Sequence, residues 1–290
     1  MQILSGKEPA AAIKNSLKDI VTLLKSKHGV TPKLVVIQVS DDPASEVYVR
    51  NKQRACDYIG IECDVRHFDS SVTESTLIDE IDKCNFDASV HGVIVQLPLP
   101  HHINEHRVTQ YIFPEKDVDG FTDENIAKLS LGIHDGLKSC TPLGIMLLLD
   151  YYGVSVVGKR CLIIGRSNIV GKPLAMMMTN RDATVTLAHS KTQLLPELCR
   201  QADIVVCAIG RANYFDRTYF KQDAVVIDVG INRDVFGQLC GDVEFGSVKN
   251  NVDAITPVPG GVGLMTVAAL MSNVVRATMY LEDIDMEDLE

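Results

Sequence analysis

Hydrophobic residues along this chain switch repeatedly between helical and strand-like spacing. Ile13, Leu17, Ile20 and Leu24 mark one helical face, behind a capping-box pair, Ser5 and Glu8, and ahead of Gly29 and Pro32, which would stop the helix. KLVVIQVS, residues 33–40, follows as a continuous apolar run of strand length. SEVYVRNKQRACDYIGI then opens after Asp41, Asp42 and Pro43, with the Ser45 hydroxyl placed to cap a first turn and Gly60 to end it, which predicts a second helix. ECDVRHF predicts a strand, the segment from Glu74 to about Cys84 a helix, and VHGVIVQ another strand.

A proline-rich turn, LPLP, and an irregular stretch through KDVDGF interrupt this alternation. It resumes at CTPLGIMLLLDYYG, with Thr141 as cap and Pro142 at the first helical position. RCLIIG, a helix from about Lys172, TVTLAH, a helix near Leu194 to Arg200, DIVVCAIG, AVVIDVG and a helix from near Met265 complete the second series. Helices alternating with short β-rich runs predict an α/β fold of parallel sheets covered on both faces. Two such series predict two domains, with boundaries near residues 140 and 264. The acidic tail EDIDMEDLE is expected to be solvated and frayed.

Composition narrows the class. The 290 residues, 46% hydrophobic and 23% charged, fit a folded globular protein, and no window is expected to hold the roughly eighteen apolar residues of a membrane span. Lys7, Glu8 and Lys14 stand where a signal peptide would need an apolar core, so no export route is expected. Eight cysteines without a CxxC pair read as reduced, mostly buried thiols of a cytoplasmic protein. A net charge of -10 disfavours non-specific nucleic-acid binding, yet leaves room for a local basic pocket for an anionic small molecule.

Candidate chemistry begins at Tyr48 and Lys52, four apart on the second helix, where a pocket touching one side chain would reach the other. Such pairs also occur on plain surface helices, so spacing leaves both readings open. RCLIIGRSNIVGKPLAMMM runs strand, turn, helix, the context in which backbone N–H groups at a helix start face a pyrophosphate. Gly165 fits the first position of GxGxxG, but Ser167 and Val170 occupy the next two and Gly171 lies one place late, so the glycines alone equally fit a tight βα turn. The following strand ends in His189, Ser190, Lys191 and Thr192, with no acid to hold ribose hydroxyls; together with Arg166 these groups suit a 2′-phosphate, and NADP is expected over NAD. DIVVCAIG and VVIDVGIN end strands where backbone could approach a nicotinamide, and ITPVPGGVGLMT predicts a rigid loop lining a cleft. His101, His102 and His106 follow a proline turn without accompanying Cys or Asp ligands, so a surface loop is expected and no metal site.

YVRNKQRACDYIGI, VIVQLPLPHHI, EKDVDGF, CTPLG, GRSNIVGKPLA, HSKT and TPVPGGVGLMT, in this order across nearly the whole chain, resemble the bifunctional methylenetetrahydrofolate dehydrogenase/cyclohydrolase family. The joint match is specific where single motifs are not. The resemblance implies a cytoplasmic homodimer active in one-carbon metabolism and purine biosynthesis. Each protomer would have an N-terminal catalytic domain (1–140, completed by a C-terminal helix in 265–290) and a Rossmann-type NADP domain (141–264), with folate in the cleft between them. It implies NADP-dependent oxidation of 5,10-methylenetetrahydrofolate and hydrolysis of the methenyl product to 10-formyltetrahydrofolate. By the same resemblance Lys52 is the catalytic lysine, Tyr48 packs beside the folate, Gln96 hydrogen-bonds the lysine and Asp119 holds the pterin. Gly165, Arg166, Ser167, Ser190 and Ile231 would contact the cofactor, and Pro259, Gly260 and Gly261 would join Tyr48 and Asp119 on the substrate. One position departs: Leu264 stands where the family usually has proline, which restores an N–H and is expected to loosen the loop slightly. A short-chain dehydrogenase also uses Tyr-x-x-x-Lys, but there the dyad follows the glycine-rich loop, whereas Tyr48 precedes Gly165. A non-catalytic NADP-binding scaffold, or a member with only one activity, is the other alternative.

Overall fold

The computed structural model describes residues 1–39 and 43–289; the side chains of residues 43–45 also lie outside the description. In chain order the elements are β1 (Gln2–Ile3), α1 (Lys7–Leu23), β2 (Lys33–Val39), α2 (Pro43–Ile59), β3 (Glu62–Phe68), α3 (Glu74–Phe86), β4 (Gly92–Val95), α4 (Glu105–Thr109), α5 (Asp123–Ser130) and α6 (Cys140–Tyr151). They continue with β5 (Arg160–Ile164), α7 (Gly171–Thr179), β6 (Thr184–Ala188), α8 (Leu195–Gln201), β7 (Ile204–Cys207), β8 (Val225–Asp228), β9 (Asn232–Arg233), β10 (Leu239–Cys240), α9 (Phe245–Val248), β11 (Ala254–Ile255) and α10 (Val262–Leu281). The chain forms two compact units, one of Met1–Ala10 with Thr141–Thr266, the other of Ala11–Cys140 with Val267–Glu290.

The second of these units is built on a three-stranded parallel sheet, β3-β2-β4. Its middle strand β2 is buried from Leu34 to Val39, which explains an apolar run without alternation. Val35, Ile37, Val93 and Val95 pack with Leu77 and Ile81 of α3, and with Val108 of α4. Thr73 and Thr122 cap α3 and α5 by accepting the N–H of Thr76 and Asn125. The capping reading at the start of α2 falls on Asp41, Asp42 and the Ser45 side chain, outside the described residues; the helical backbone begins at Pro43. The tail differs from expectation. Ile284 and Leu289 are buried, residues Met286–Leu289 form a 3-10 turn, and Lys27 Nζ donates to the Leu289 carbonyl at 2.9 Å, because two apolar side chains within the acid-rich run find a core to enter.

The other unit is a six-stranded sheet in the order β1-β11-β8-β7-β5-β6, parallel at every pairing. The order reverses at β5, with β6 on one side and β7 on the other, which creates a ligand-accepting switch point at the carboxyl edge. Residues 1–10 belong here, not with the stretch that follows them, because β1 pairs with β11: Gln2 N–H donates to Asp253 O at 2.7 Å and Leu4 N–H to Ile255 O at 2.8 Å. Helix α6 starts at Cys140, one residue before the expected cap Thr141.

Helix α10 corrects another expectation. Twenty residues long with mean hydropathy 1.4, it is apolar enough to cross a membrane by length and composition. Most of it is buried in protein, and the buried Asn273 amide donates to the Val118 and Lys138 carbonyls, each at 2.8 Å. Its apolar surface serves a core.

Candidate active site

Parallel sheets bind ligands beyond the carboxyl ends of their strands, and in the three-stranded sheet three segments meet that rule. Helix α2 follows β2 and carries Tyr48, Lys52 and Cys56 one turn apart on one face. Gln96 continues β4, its N–H donating to Ile37 O at 2.8 Å. Its side-chain amide donates to Leu97 O at 2.8 Å, which leaves Oε1 to accept from Lys52 Nζ at 3.0 Å. The expected Lys52–Gln96 pair is therefore present, and both residues are half-buried. Tyr48 is 41% exposed, with burial of its phenol pushing that group upward.

The third segment is KDVDG. Val93 N–H donates to Lys116 O at 2.8 Å, and Val93 bridges Asp117 in parallel, so the segment lies along β4. Buried Asp117 shapes the turn beyond it: Oδ1 accepts Gly120 N–H at 3.0 Å, while Oδ2 accepts Thr122 N–H at 2.8 Å and the Asn125 amide at 3.0 Å. Gly120 has φ of 70°, and a Cβ there would stand 2.5 Å from the Lys138 carbonyl carbon and the Ser139 nitrogen. Only glycine fits. The turn carries Asp119, whose carboxyl burial pushes upward, while the Lys52 ammonium and the Cys140 thiol draw it back. Cys140 in turn is held well above its ordinary value by burial and by Asp119, and its thiol donates to Val118 O at 3.2 Å. Lysine, amide and carboxyl group thus share one electrostatic environment, with donors and acceptors suited to a planar heterocycle.

In the six-stranded unit, Gly165 ends β5 with φ of 125°; a Cβ would lie 2.1 Å from Ala208 O. A Cβ on Gly171 would lie 1.9 Å from Gly165 O. The glycine that reads as one place late in the sequence is thus required by packing of the helix start on the turn, while Ser167 Oγ accepts the Val170 N–H at 3.1 Å and tightens the intervening loop. Arg166, Ser167, Ser190 and Lys191 are exposed beyond β5 and β6, and Thr192 closes the second turn by accepting the His189 N–H at 2.8 Å. These groups, with a helix N-terminus behind them, fit an anionic dinucleotide bearing a 2′-phosphate. Ile231, 50% exposed, follows β8.

Pro259, Gly260 and Gly261 form the loop between β11 and α10, in which Val258–Pro259 is cis, as is Leu97–Pro98 beside Gln96. Gly6 N–H donates to Gly260 O at 2.8 Å, and a Cβ on Gly6 would lie 2.2 Å from Gly261 O, so the loop rests directly on the residue after β1. Leu264 uses the N–H that proline would lack, donating to Gly261 O at 3.2 Å. Of the three histidines, His106 lies in α4 and His102 Nε2 is 2.9 Å from Val72 O.

Sequence reading missed a pair of buried carboxylates, Asp228 and Asp242, 3% and 0% exposed. The available signal was small: each acid lies within two residues of a glycine, in IDVG and CGDV. Burial pushes Asp228 up to about 7 from 3.8, against the backbone N–H groups of Val243, Asp242 and Gly230, with Asp242 raising it further. Between those values the folded chain holds a proton that the unfolded chain has released. Stability from this group is complete below about pH 4 and is lost as the pH rises through about 7, by on the order of 4 kcal/mol. Denaturant unfolding of wild type and Asp228→Asn should show the stability gap narrowing over that window and constant above it. A gap independent of pH would remove this proton from the account.

Two family descriptions match the chain: tetrahydrofolate dehydrogenase/cyclohydrolase, catalytic domain, over residues 4–119, and the NAD(P)-binding domain of the same family over residues 139–281. The chain is 52% identical over 274 residues to the bifunctional protein FolD of Ligilactobacillus salivarius, covering 94% of this chain and 95% of that protein. The crystal structure of the bifunctional FolD methylenetetrahydrofolate dehydrogenase/cyclohydrolase of Campylobacter jejuni is similar at a TM-score of 0.95 and 45% identity, covering 97% and 99% of the two chains. The Trypanosoma brucei enzyme, complexed with NADP cofactor and inhibitor, gives 0.91 at 35% identity, covering 96% and 97%.

Proposed function

Because the chain belongs to the tetrahydrofolate dehydrogenase/cyclohydrolase family, we infer that it oxidises 5,10-methylenetetrahydrofolate with NADP+ and hydrolyses the 5,10-methenyl product to 10-formyltetrahydrofolate. The observation that carries the hydrolytic half is the 3.0 Å bond from Lys52 Nζ to the neutral Gln96 amide. The amide, itself fixed by its bond to Leu97 O, orients the lysine nitrogen toward the site. Water adds to the methenyl carbon, Lys52 moves one of its protons to the ring nitrogen that leaves as the five-membered ring opens, and the second proton of the water is released to solvent as the formyl C=O forms. Asp119 accepts from the pterin amino and ring N–H donors, and Tyr48 packs beside the folate. Pro259, Gly260 and Gly261 contact the substrate through backbone.

NADP+, when bound, accepts the hydride from the methylene bridge. Gly165 and Ser167 would hold the pyrophosphate, Arg166 and Ser190 the 2′-phosphate, and Ile231 the nicotinamide side. The catalytic domain expected at 1–140 with 265–290 is taken as residues 11–140 completed by 267–290, and the cofactor domain expected at 141–264 as 141–266 joined by residues 1–10, whose β1 pairs with β11, in a cytoplasmic homodimer. Arg166→Ala should raise KM for NADP+ about tenfold through loss of a charge-assisted contact, with NAD+ changed less than about twofold; equal effects on both would remove Arg166 from 2′-phosphate recognition.

The direct test mixes purified protein with 5,10-methylenetetrahydrofolate and NADP+ and follows NADPH and the methenyl chromophore together. NADPH with little methenyl build-up is expected. Methenyl accumulation would remove the hydrolytic assignment, and no signal with either NADP+ or NAD+ would favour a binding scaffold.

A further inference from the structure

The loops that follow β7 and β8 are both tied to one buried carboxylate. Asp242 Oδ2 accepts the N–H of Ile209 at 2.6 Å and of Gly210 at 3.2 Å; Oδ1 accepts the N–H of Arg211 at 2.8 Å and the side-chain amide of Asn232 at 2.9 Å. Three successive backbone donors converging on one acid form an anion nest whose anion is the protein's own. Asp228, at the end of β8, holds Asp242 in place by accepting its N–H at 2.9 Å, and also accepts Gly230 N–H at 3.0 Å and Val243 N–H at 2.9 Å. The packing has no slack: a Cβ on Gly230 would lie 2.4 Å from Asp242 Oδ1, and one on Gly241 would lie 1.8 Å from Asp228 Oδ2.

Placement gives this clamp a direction. The strand order reverses at β5, so a dinucleotide lying across the carboxyl edge has its adenosine half toward β6 and its other half toward β7 and β8. The clamp reaches only the second side. We propose that Asp242, steadied by Asp228, is a positioning residue that sets the two loops against the nicotinamide half of NADP and so fixes the geometry of hydride transfer. This rests on the dehydrogenase reading above. Neither carboxylate touches the reacting atoms; both act through backbone N–H groups. The amide of Asp242→Asn would turn an NH2 toward donors that need an acceptor, releasing one of the loops.

The test measures three quantities on wild type and Asp242→Asn: dehydrogenase kcat and KM for NADP+, hydrolysis of the methenyl compound without cofactor, and the Kd of adenosine 2′,5′-bisphosphate, which lacks the nicotinamide half. Dehydrogenase kcat/KM is expected to fall about tenfold or more, with the other two readings within about twofold. A merely structural role would move all three together, and that result, or an unchanged dehydrogenase, overturns the proposal. Should the variant not fold, Asn232→Ala decides, since it removes a single bond to Asp242 Oδ1: a dehydrogenase-selective loss of about threefold is expected, and no loss or a parallel loss overturns the proposal. A wild type that fails to oxidise the methylene substrate would instead count against the dehydrogenase reading itself.

Discussion

Lys52→Met is expected to lower methenyl hydrolysis by about a thousandfold, in line with removing the group that moves protons in the reaction. Methionine keeps nearly the same length on α2, so helix packing changes little, while the Gln96 Oε1 loses the donor it now meets at 3.0 Å. Oxidation of the methylene substrate needs orientation more than proton movement, so the dehydrogenase should fall by a smaller factor. Stopped-flow loss of the methenyl absorbance, corrected for the uncatalysed rate, separates the two. Unchanged hydrolysis would refute the role assigned to Lys52.

Lys116→Met should cost on the order of 3 kcal/mol of stability. Lys116 is 5% exposed, and its ammonium donates to the carbonyls of Cys84, Asn85 and Asp87 at 3.0, 2.8 and 2.8 Å, satisfying the last turn of α3. Methionine fills the space but leaves the Cys84 and Asn85 carbonyls without a donor, each worth about 1–3 kcal/mol when buried, while Asp87 O keeps the Val90 N–H at 3.1 Å; no longer burying a charge offsets part of the loss. Since Lys116 O also receives the Val93 N–H and the chain proceeds from it to Asp119, hydrolysis should weaken along with stability. Chemical denaturation measures the first and the methenyl assay the second; a stability change below about 1 kcal/mol would mean that water replaces the ammonium at the helix end.

Strands β2, β4, β5, β7 and β8 were legible in sequence because burial on both faces demands nearly uninterrupted apolar runs, as in KLVVIQV and RCLII. Lys52 and Gln96 were legible only through the joint pattern of motifs, since an amide after a strand carries no periodicity. What stayed hidden was short or non-local. Two-residue strands such as β1 and β11 have no period to detect, and their pairing depends on residues far apart in the chain. The helix at Asp123–Ser130 lay unread behind KDVDGF although Thr122 caps it. Asp228 and Asp242 could not be told from solvated turn acids, because what distinguishes them is the convergence of backbone donors from several loops.

The pairing of β1 with β11 also bears on how the chain is made. Gln2 is made about 250 residues before its partner Ala254, and Gly6 waits as long for the loop from Pro259 to Gly261 that rests on it. Residues Ala11–Cys140 likewise wait for Val267 onward to complete their unit. Synthesis therefore cannot finish one unit before starting the other, and a nascent chain halted near residue 200 would hold a three-stranded sheet without the helix that completes its unit and a second sheet lacking β7, β8 and β11, a state in which unpaired strand edges invite chaperone binding.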